Sequence, residues 1–390
     1  MNDLNCKSKI TVSVITAIVT VILCVAIFIA ILFGVPGVLE LIQLDLYVDS
    51  NFYGETSKDA ITEGVLSGYL NKLDDRYAQY YNKEQSTERE NRLNGVAQGL
   101  GITVLKDVNS ESIYVARVYK DSPAKESGIL KGDRIIGVDG KLIADFGYSE
   151  ILNSIPREIG ETVNLTIMRG ADSIDLTIEY SDIVQQSVFY EKIEDFGYIE
   201  ITSFNTATVE QFYNALNALE SENVKGLIFD LRDNGGGTVN SVGKILDRLL
   251  PEGDLMTVKY KSGKTKTMLT SDSEEINLPM AVLVNENTAS SSEVFASNIR
   301  EFGKGILIGN KTYGKGVMQD TFNISNGASV VFTVAELFTH NMTAYHGVGL
   351  LPDIEVSVTE AENRLRYFSD ISEDKTVMAA VEWLNGEENE

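Results

Sequence analysis

The longest apolar run of the chain lies at its N-terminus. From Ile10 to Leu39 no residue is charged, and residues 10–35 are almost unbroken Val, Ile, Ala, Leu and Phe. Roughly 20 apolar residues cross a bilayer core, so the run predicts a transmembrane helix over 10–35. Lys7 and Lys9 precede it, whereas Glu40 and Asp45 follow it. This asymmetry makes residues 1–9 a cytoplasmic tail and sets the rest outside a cell membrane crossed once. A cleaved signal peptide is the alternative, but its apolar part is usually ~7–15 residues long. Phe33-Gly34-Val35-Pro36 also makes a poor cleavage site, and Cys24 lacks the small residue expected before a lipidated cysteine.

Beyond the run the pattern changes three times. Residues 41–94 read as helical, with Ile61, Val65, Leu66, Tyr69, Leu70 and Leu73 at helical spacing and a break at Leu73-Asp74-Asp75-Arg76-Tyr77. They predict a helical cap packed on a neighbouring domain. Residues 95–183 show short β-type runs at Gly101–Leu105, Ser112–Val118, Arg134–Val138, Thr162–Met168 and Ser173–Ile178, with short helices near Pro123–Ser127 and Tyr148–Ser154. Residues 184–358 alternate strand and helix. Strands fall at Gly197–Ile201, Gly226–Leu231, Met280–Val284 and Gly305–Ile308, and helices at Thr208–Leu219, Val239–Leu250 and Ser292–Phe302. Such alternation predicts crossover units on a partly parallel sheet. Residues 359–390 read as a helical tail. The fold class is therefore multidomain, α/β combined with α+β.

Charge and composition narrow the chemistry. Asp and Glu number 57 against 33 Lys and Arg, a formal charge of −24, which repels phosphate backbones and excludes nucleic acid as a partner. Cys6 and Cys24 are the only cysteines, so the rest of the chain holds no disulfide framework and no thiolate metal site. His340 and His346 are the only histidines, which rules out zinc motifs of the HExxH type and leaves few candidates for a Ser-His-Asp triad. A hydrolytic base must come from another residue type. No metal or organic cofactor is implied.

Within the β-rich module, Gly99-Leu100-Gly101-Ile102, Asp121-Ser122-Pro123-Ala124, Gly128, Lys131-Gly132-Asp133-Arg134-Ile135-Ile136 and Val138-Asp139-Gly140 follow one another. Together they resemble a PDZ domain of the form carried by bacterial proteases. A Gly-x-Gly loop before an edge strand can aim backbone N–H groups at a peptide carboxylate, and the strand edge can take up the peptide by β-addition. The resemblance implies that Gly99, Leu100, Gly101 and Ile102 bind the C-terminus of a peptide. Taken alone, the two glycines would only mark a tight turn.

Three segments of the α/β region could carry chemistry. In Asn285-Glu286-Asn287-Thr288-Ala289-Ser290-Ser291-Ser292-Glu293 a strand ends, a polar turn follows and a helix begins. A serine at a helix N-terminus sits beside N–H groups that favour a developing oxyanion. The bland alternative is a capping box, Ser290-x-x-Glu293. In Gly309-Asn310-Lys311-Thr312-Tyr313-Gly314-Lys315-Gly316 a lysine stands between glycines after an apolar strand. The segment matches a phosphate-binding loop until Gly316 replaces the Ser/Thr that would hold magnesium, and no helix pattern follows. Lys315 instead fits a general base, provided burial lowers its pKa from roughly 10.4 to ~7–8. Gln319 is placed to orient the amine. The third segment is Asp230-Leu231-Arg232-Asp233-Asn234-Gly235-Gly236-Gly237, a glycine turn that exposes backbone N–H groups or merely joins strand to helix.

In combination these segments closely resemble the carboxy-terminal processing proteases, the tail-specific S41 peptidases. The family's Asp-Leu-Arg-x-Asn-Pro-Gly-Gly turn corresponds to Asp230–Gly237, with Gly235 in place of proline. Its Ser-Ala-Ser-Ala-Ser-Glu segment corresponds to Thr288–Glu293, and its Thr-Phe-Gly-Lys-Gly-x-x-Gln segment to Thr312–Gln319. The family nucleophile stands three residues before the glutamate, which selects Ser290. Glu301 stands where the family often has an aspartate, and no role is given to it. The likeness extends from about residue 41 to 358, including Leu73-Asp74-Asp75 and His346–Asp353.

The resemblance implies a serine endopeptidase with Ser290 as nucleophile, Lys315 as base and Gln319 positioning Lys315. Gly236, Gly237 and the Ser291 amide would be oxyanion donors. Its partners would be proteins or peptides with accessible C-termini and the membrane itself, with a homo-oligomer left open. The reading from another class is a catalytically silent PDZ scaffold with a degenerate protease domain.

Overall fold

A computed structural model describes residues 15–27, 29–30, 34, 37–107, 112–155 and 158–387. The tail expected over residues 1–9 and the start of the apolar run lie outside the described residues. The chain divides into two compact units, residues 1–66 and 67–390. In the first, residues 15–27 are helical and helix α1 spans Val38–Asn51. Lys58 Nζ bridges Asp45 and Asp49 at 3.0 and 2.9 Å. No helix among the described residues is long and apolar enough to cross a membrane.

Helix α2, Lys58–Leu70, runs into the second unit. The helical region expected over residues 41–94, with its break at Leu73–Tyr77, also contains a strand at Gln79–Tyr81. These residues form strand β1 and pair with a strand some 250 positions later, Tyr80 opposite Val330. Helix α3, Lys83–Asn94, follows, capped by Asn82 and closed by Gly95. Cross-strand partners brought in from far along the chain override the local helical pattern.

The small module begins with β2, Val96–Gly99, and contains β3, Ile102–Asp107, β4, Ser112–Val118, and the short helix α4, Pro123–Glu126. Then come β5, Arg134–Val138, β6, Lys141–Leu142, and helices α5, Ile143–Phe146, and α6, Tyr148–Ser154. Strands β7, Thr162–Arg169, β8, Asp172–Glu179, and β9, Ser181–Val184, complete it. The antiparallel sheet runs β3-β4-β5-β7-β8, with β6 on β5, while β2 and β9 pair where the chain enters and leaves. Alternating apolar positions such as Val163, Leu165 and Ile167 turn inward onto Ile113, Val115 and Ile151. β3 is an edge strand.

The larger domain is built on β10, Val188–Ile193, and β11, Phe196–Ile201, followed by α7, Thr208–Ser221, β12, Gly226–Asp230, and α8, Val239–Leu249. A hairpin of β13, Gly253–Tyr260, and β14, Thr265–Ser271, precedes β15, Met280–Val284, α9, Ser291–Glu301, and β16, Gly305–Gly309. β17, Val317–Asn323, β18, Ser329–Phe338, and β19, Ile354–Glu355, follow. One sheet has the order β10-β11-β12-β15-β16-β19 and is parallel from β11 onward. The other joins β1, β18, β13 and β14, with β17 also on β18. Helices α7, α8 and α9 cover one face of the parallel sheet, burying Phe212, Leu216, Ile245, Leu246 and Phe295 against Phe229 and Val282. Each such side chain contributes about 1.5–3 kcal/mol.

The C-terminal residues are not a tail. Helix α10, Glu360–Leu365, and helix α11, Lys375–Glu387, belong to this domain. Val377, Ala380, Val381 and Leu384 cover the second face of the parallel sheet against Phe196, Ile228, Leu283 and Ile308. A parallel sheet needs both faces covered, and residues 184–358 supply helices for only one. The expected boundary at residue 358 therefore moves to the end of α11. Between the two helices, Arg366 Nη2 reaches Asp233 at 2.7 Å, Arg232 reaches Asp374 at 2.8 Å, and Phe368 stacks on Tyr114 of the small module at 4.3 Å.

Candidate active site

Ser290 closes the turn between β15 and α9. Its backbone has φ 58° and ψ −120°, outside the regions an L residue ordinarily occupies, and holding it there costs about 1–3 kcal/mol. The surroundings impose this conformation. Ala289 N donates to Asn234 O at 3.0 Å, Thr288 Oγ1 donates to Leu231 O at 2.9 Å, and Ser292 Oγ donates to Asn234 O at 2.9 Å. A serine on a strained strand-to-helix turn is the arrangement that lifts a nucleophile out of the backbone toward a substrate.

Glu293 connects this turn to the lysine segment. Its buried carboxylate accepts four hydrogen bonds: from Ser290 N at 2.9 Å, Lys315 N at 2.7 Å, Gly314 N at 2.7 Å and Thr312 Oγ1 at 2.6 Å. Burial pushes the carboxyl's pKa up, and these donors oppose it. The capping reading is thus half right: the Glu293 side chain does cap the Ser290 N–H, and the same carboxylate positions the base loop. The sequence reading missed this second task, for which the only signal was a glutamate at the third position of an otherwise apolar and small-residue helix start.

Lys315 enters the site because its flanking residues have no side chains. A Cβ on Gly314 would lie 2.7 Å from Gly349 N, and one on Gly316 would lie 2.8 Å from His346 N. Burial lowers the pKa of the Lys315 amine, assisted by the positive charge of Arg89 and opposed by Asp75 and Glu293. Its Nζ lies 4.7 Å from the centre of the Tyr77 ring, a contact that favours the ammonium form. Asp75, Tyr77 and Arg89 all come from the stretch read only as a helical cap. Gln319 faces the same cavity, but its amide donates to Val317 O at 3.3 Å and Thr333 Oγ1 at 3.4 Å rather than holding the Lys315 amine. The register shift in the β17–β18 ladder between Met318 and Gln319 accompanies this placement.

Ser290, Ser291, Gly237, Lys315, Gln319 and Arg89 line one cavity of about 230 Å³, with an apolar wall that includes Val242, Met256, Val294 and Leu337. A larger cavity, about 700 Å³, lies among β4, β10 and residues 366–374, where Arg117 meets Glu200 at 2.6 Å; it contains neither Ser290 nor Lys315. Neither histidine lines this cavity, although the His346 backbone packs against Gly316. His340 stacks on Phe302 at 4.0 Å and shares a hydrogen bond with Asp254 O.

The glycine turn corrects one expected donor. Gly236 N donates to Asn234 Oδ1 at 2.9 Å, so this N–H is already used. Gly236 must still be glycine, because at φ 101° its Cβ would stand 2.8 Å from Ala289 O and 2.9 Å from Ser290 Cβ. The Gly237 and Ser291 N–H groups have no partner among the described residues and are free to donate. Ser291 Oγ donates to Gly237 O at 3.1 Å and holds the two segments together.

In the small module, Gly101 at φ 81° packs so tightly on Ser122 that a Cβ would fall 2.2 Å from the Ser122 Cβ. The Leu100 and Gly101 carbonyls accept from Ala124 N and Tyr119 N at 2.9 and 2.8 Å, whereas their own N–H groups have no partner among the described residues. Ile102 begins edge strand β3. At the far end of that strand, Arg364 Nη2 donates to Lys106 O at 2.9 Å.

A strained serine and a half-buried lysine on a mixed sheet, beside a module with an open edge strand, define the class as a serine peptidase with a peptide-binding domain. Comparison with known proteins agrees. Residues 195–356 match the model of peptidase family S41, and residues 98–180 match that of a PDZ domain. The carboxy-terminal processing protease CtpA of Bacillus subtilis is 31% identical over 80% of this chain and 67% of its own length. A probable CtpA-like serine protease of Staphylococcus epidermidis is 28% identical over 81% of this chain and 65% of its own. The chain thus spans about two thirds of the length of these relatives. A crystal structure from Bacteroides fragilis assigned to the S41 proteases shares the fold, with TM-score 0.62 at 19% identity over 86% of this chain and 99% of that one. The chain belongs to peptidase family S41, the carboxy-terminal processing serine proteases.

Proposed function

We propose that this chain is a membrane-anchored, extracytoplasmic endopeptidase that cleaves protein substrates with a Ser290–Lys315 dyad. The observation that carries the reading is that Ser290 and Lys315 line the same cavity and are tied through one carboxylate, Glu293. Neutral Lys315 takes the Ser290 hydroxyl proton as Oγ attacks the scissile carbonyl. The resulting oxyanion sits against the Gly237 and Ser291 N–H groups. Collapse of this intermediate expels the amine, which receives the proton from Lys315 and leaves an acyl-enzyme. Water, deprotonated by the same lysine, then releases the acid. Gln319 shapes the cavity beside Lys315.

The Leu100 and Gly101 N–H groups take a substrate's terminal carboxylate, and β3 takes up its tail. The test is cleavage of an unfolded protein by the full-length chain in detergent, with the substrate's C-terminus free or amidated. Cleavage of the free form and slower cleavage of the amide are expected. Equal rates would confine the small module to packing, and no cleavage of either form would favour the silent scaffold.

Residues 10–35 anchor the chain, with the catalytic part outside. Their charge-free length and the preceding Lys7 and Lys9 support this. Protease added to intact cells should digest the exterior part, and complete protection would reverse the topology.

A further inference from the structure

The catalytic cavity holds a second cation that neither gives nor takes a proton in the hydrolytic steps. Arg89, on α3, lines the cavity together with Ser290 and Lys315. Its Nη1 donates to Thr321 Oγ1 at 3.2 Å and its guanidinium lies 5.5 Å from the Tyr81 ring centre. Nε and Nη2 have no partner among the described residues, and no carboxylate pairs with the side chain. Among the described residues Arg76, Arg92 and Arg364 also form no ion pair, but of these arginines Arg89 is the one that lines the cavity of Ser290 and Lys315. The two acids that act on Lys315 are committed elsewhere: Asp75 accepts Thr333 N at 2.7 Å, and Glu293 accepts its four donors.

A guanidinium with one edge anchored and the other open is built to receive a carboxylate, because its planar fork matches the two oxygens. Placing a positive charge beside a lysine that must become neutral also helps the base, but a charge of any shape would do that. Only a ligand needs the open fork. Resting on the dyad reading, we propose that Arg89 is a carboxylate receptor of the catalytic cleft, selecting substrates that carry a carboxylate close to the scissile bond. Two sources supply this chemistry: an Asp or Glu side chain beside the bond, or the terminal α-carboxylate when a short C-terminal piece is removed.

The experiment compares full-length wild type, Arg89→Gln and Arg89→Lys in detergent. The substrates are C-terminally amidated peptides with Glu or Gln at each position flanking the cleaved bond, and one pair with free and amidated ends. Arg89→Gln should raise KM roughly 10- to 100-fold for a Glu peptide or a free end and leave KM of the matching Gln or amide peptide nearly unchanged, while any fall in kcat through Lys315 is shared by all the peptides. Arg89→Lys should fall between. Which pair responds identifies the source, and subtracting the two enzymes' differences cancels binding at the PDZ-type loop. An equal loss for all peptides would overturn the receptor and leave Arg89 acting through Lys315 alone. The same peptides titrated onto Ser290→Ala and Ser290→Ala/Arg89→Gln report the carboxylate preference without catalysis. Failure of the dyad, seen as cleavage surviving Ser290→Ala, is thereby separated from failure of the receptor. Equal affinity of both proteins for a Glu peptide and a free-ended peptide would sink it.

Discussion

Ser290→Ala should abolish cleavage, lowering kcat by at least about 10⁴-fold, while Ser291→Ala and Ser292→Ala should leave a working enzyme. The three adjacent serines have different tasks. Ser292 Oγ donates to Asn234 O and Ser291 Oγ donates to Gly237 O, so both hydroxyls fasten the helix start to the glycine turn. Ser290 alone occupies the strained position, with φ 58°, at the cavity. Losing either fastening bond costs about 0.5–1.5 kcal/mol of local stability, because Asn234 O keeps Ala289 N as a donor and Gly237 is exposed to water. Activity should then fall by no more than about tenfold. Turnover of an unfolded protein, with circular dichroism to verify folding, checks all three variants. If Ser292→Ala is as inactive as Ser290→Ala while still folded, the nucleophile has been assigned to the wrong serine.

The second large effect concerns the base. Lys315→Arg should be as inactive as Lys315→Ala, because a guanidinium keeps the charge but stays protonated throughout the working range. In the wild type, kcat/KM should rise with pH as the Lys315 ammonium loses its proton. Burial and Arg89 hold that pKa below the ordinary lysine value of 10.5, so the limb must lie below it. The sign of each neighbour follows. Asp75→Asn removes a charge that favours the ammonium and moves the limb to lower pH. Replacing His340 and His346 by Gln should leave the limb in place, since neither ring lines the cavity. A folded but dead double-histidine variant alongside an active Lys315→Arg would transfer the base to a histidine.

Read from the sequence alone, the elements that carry the site were accurate wherever local pattern and burial agree. β12, β15 and β16 are short apolar runs bounded by turn residues, and they form the buried parallel strands such runs predict. The helices α7, α8 and α9 show an apolar stripe at helical spacing, and each buries that stripe. Ser290 and Lys315 were legible because motif spacing is a property of the chain. Their loops lie at the ends of adjacent strands β15 and β16, so spacing in sequence translates into proximity in space.

What tertiary structure alone decided are the pairings that join distant parts of the chain, because no local pattern encodes a partner some 200 residues away. β1 is a strand only because β18 offers it an edge, and α11 is core rather than tail only because the parallel sheet has a second face to cover. The donors follow the same rule. Three glycines in sequence offer three N–H groups, but Asn234 folds back onto Gly236 and leaves those of Gly235 and Gly237. Arg89 and Asp75 lie on segments that read as a plain cap, and their effect on Lys315 exists only once folding has brought their charges beside a half-buried amine. Short-range periodicity and turn chemistry are written in neighbouring residues. Electrostatic environment and hydrogen-bond ownership are set by whichever residues arrive from elsewhere.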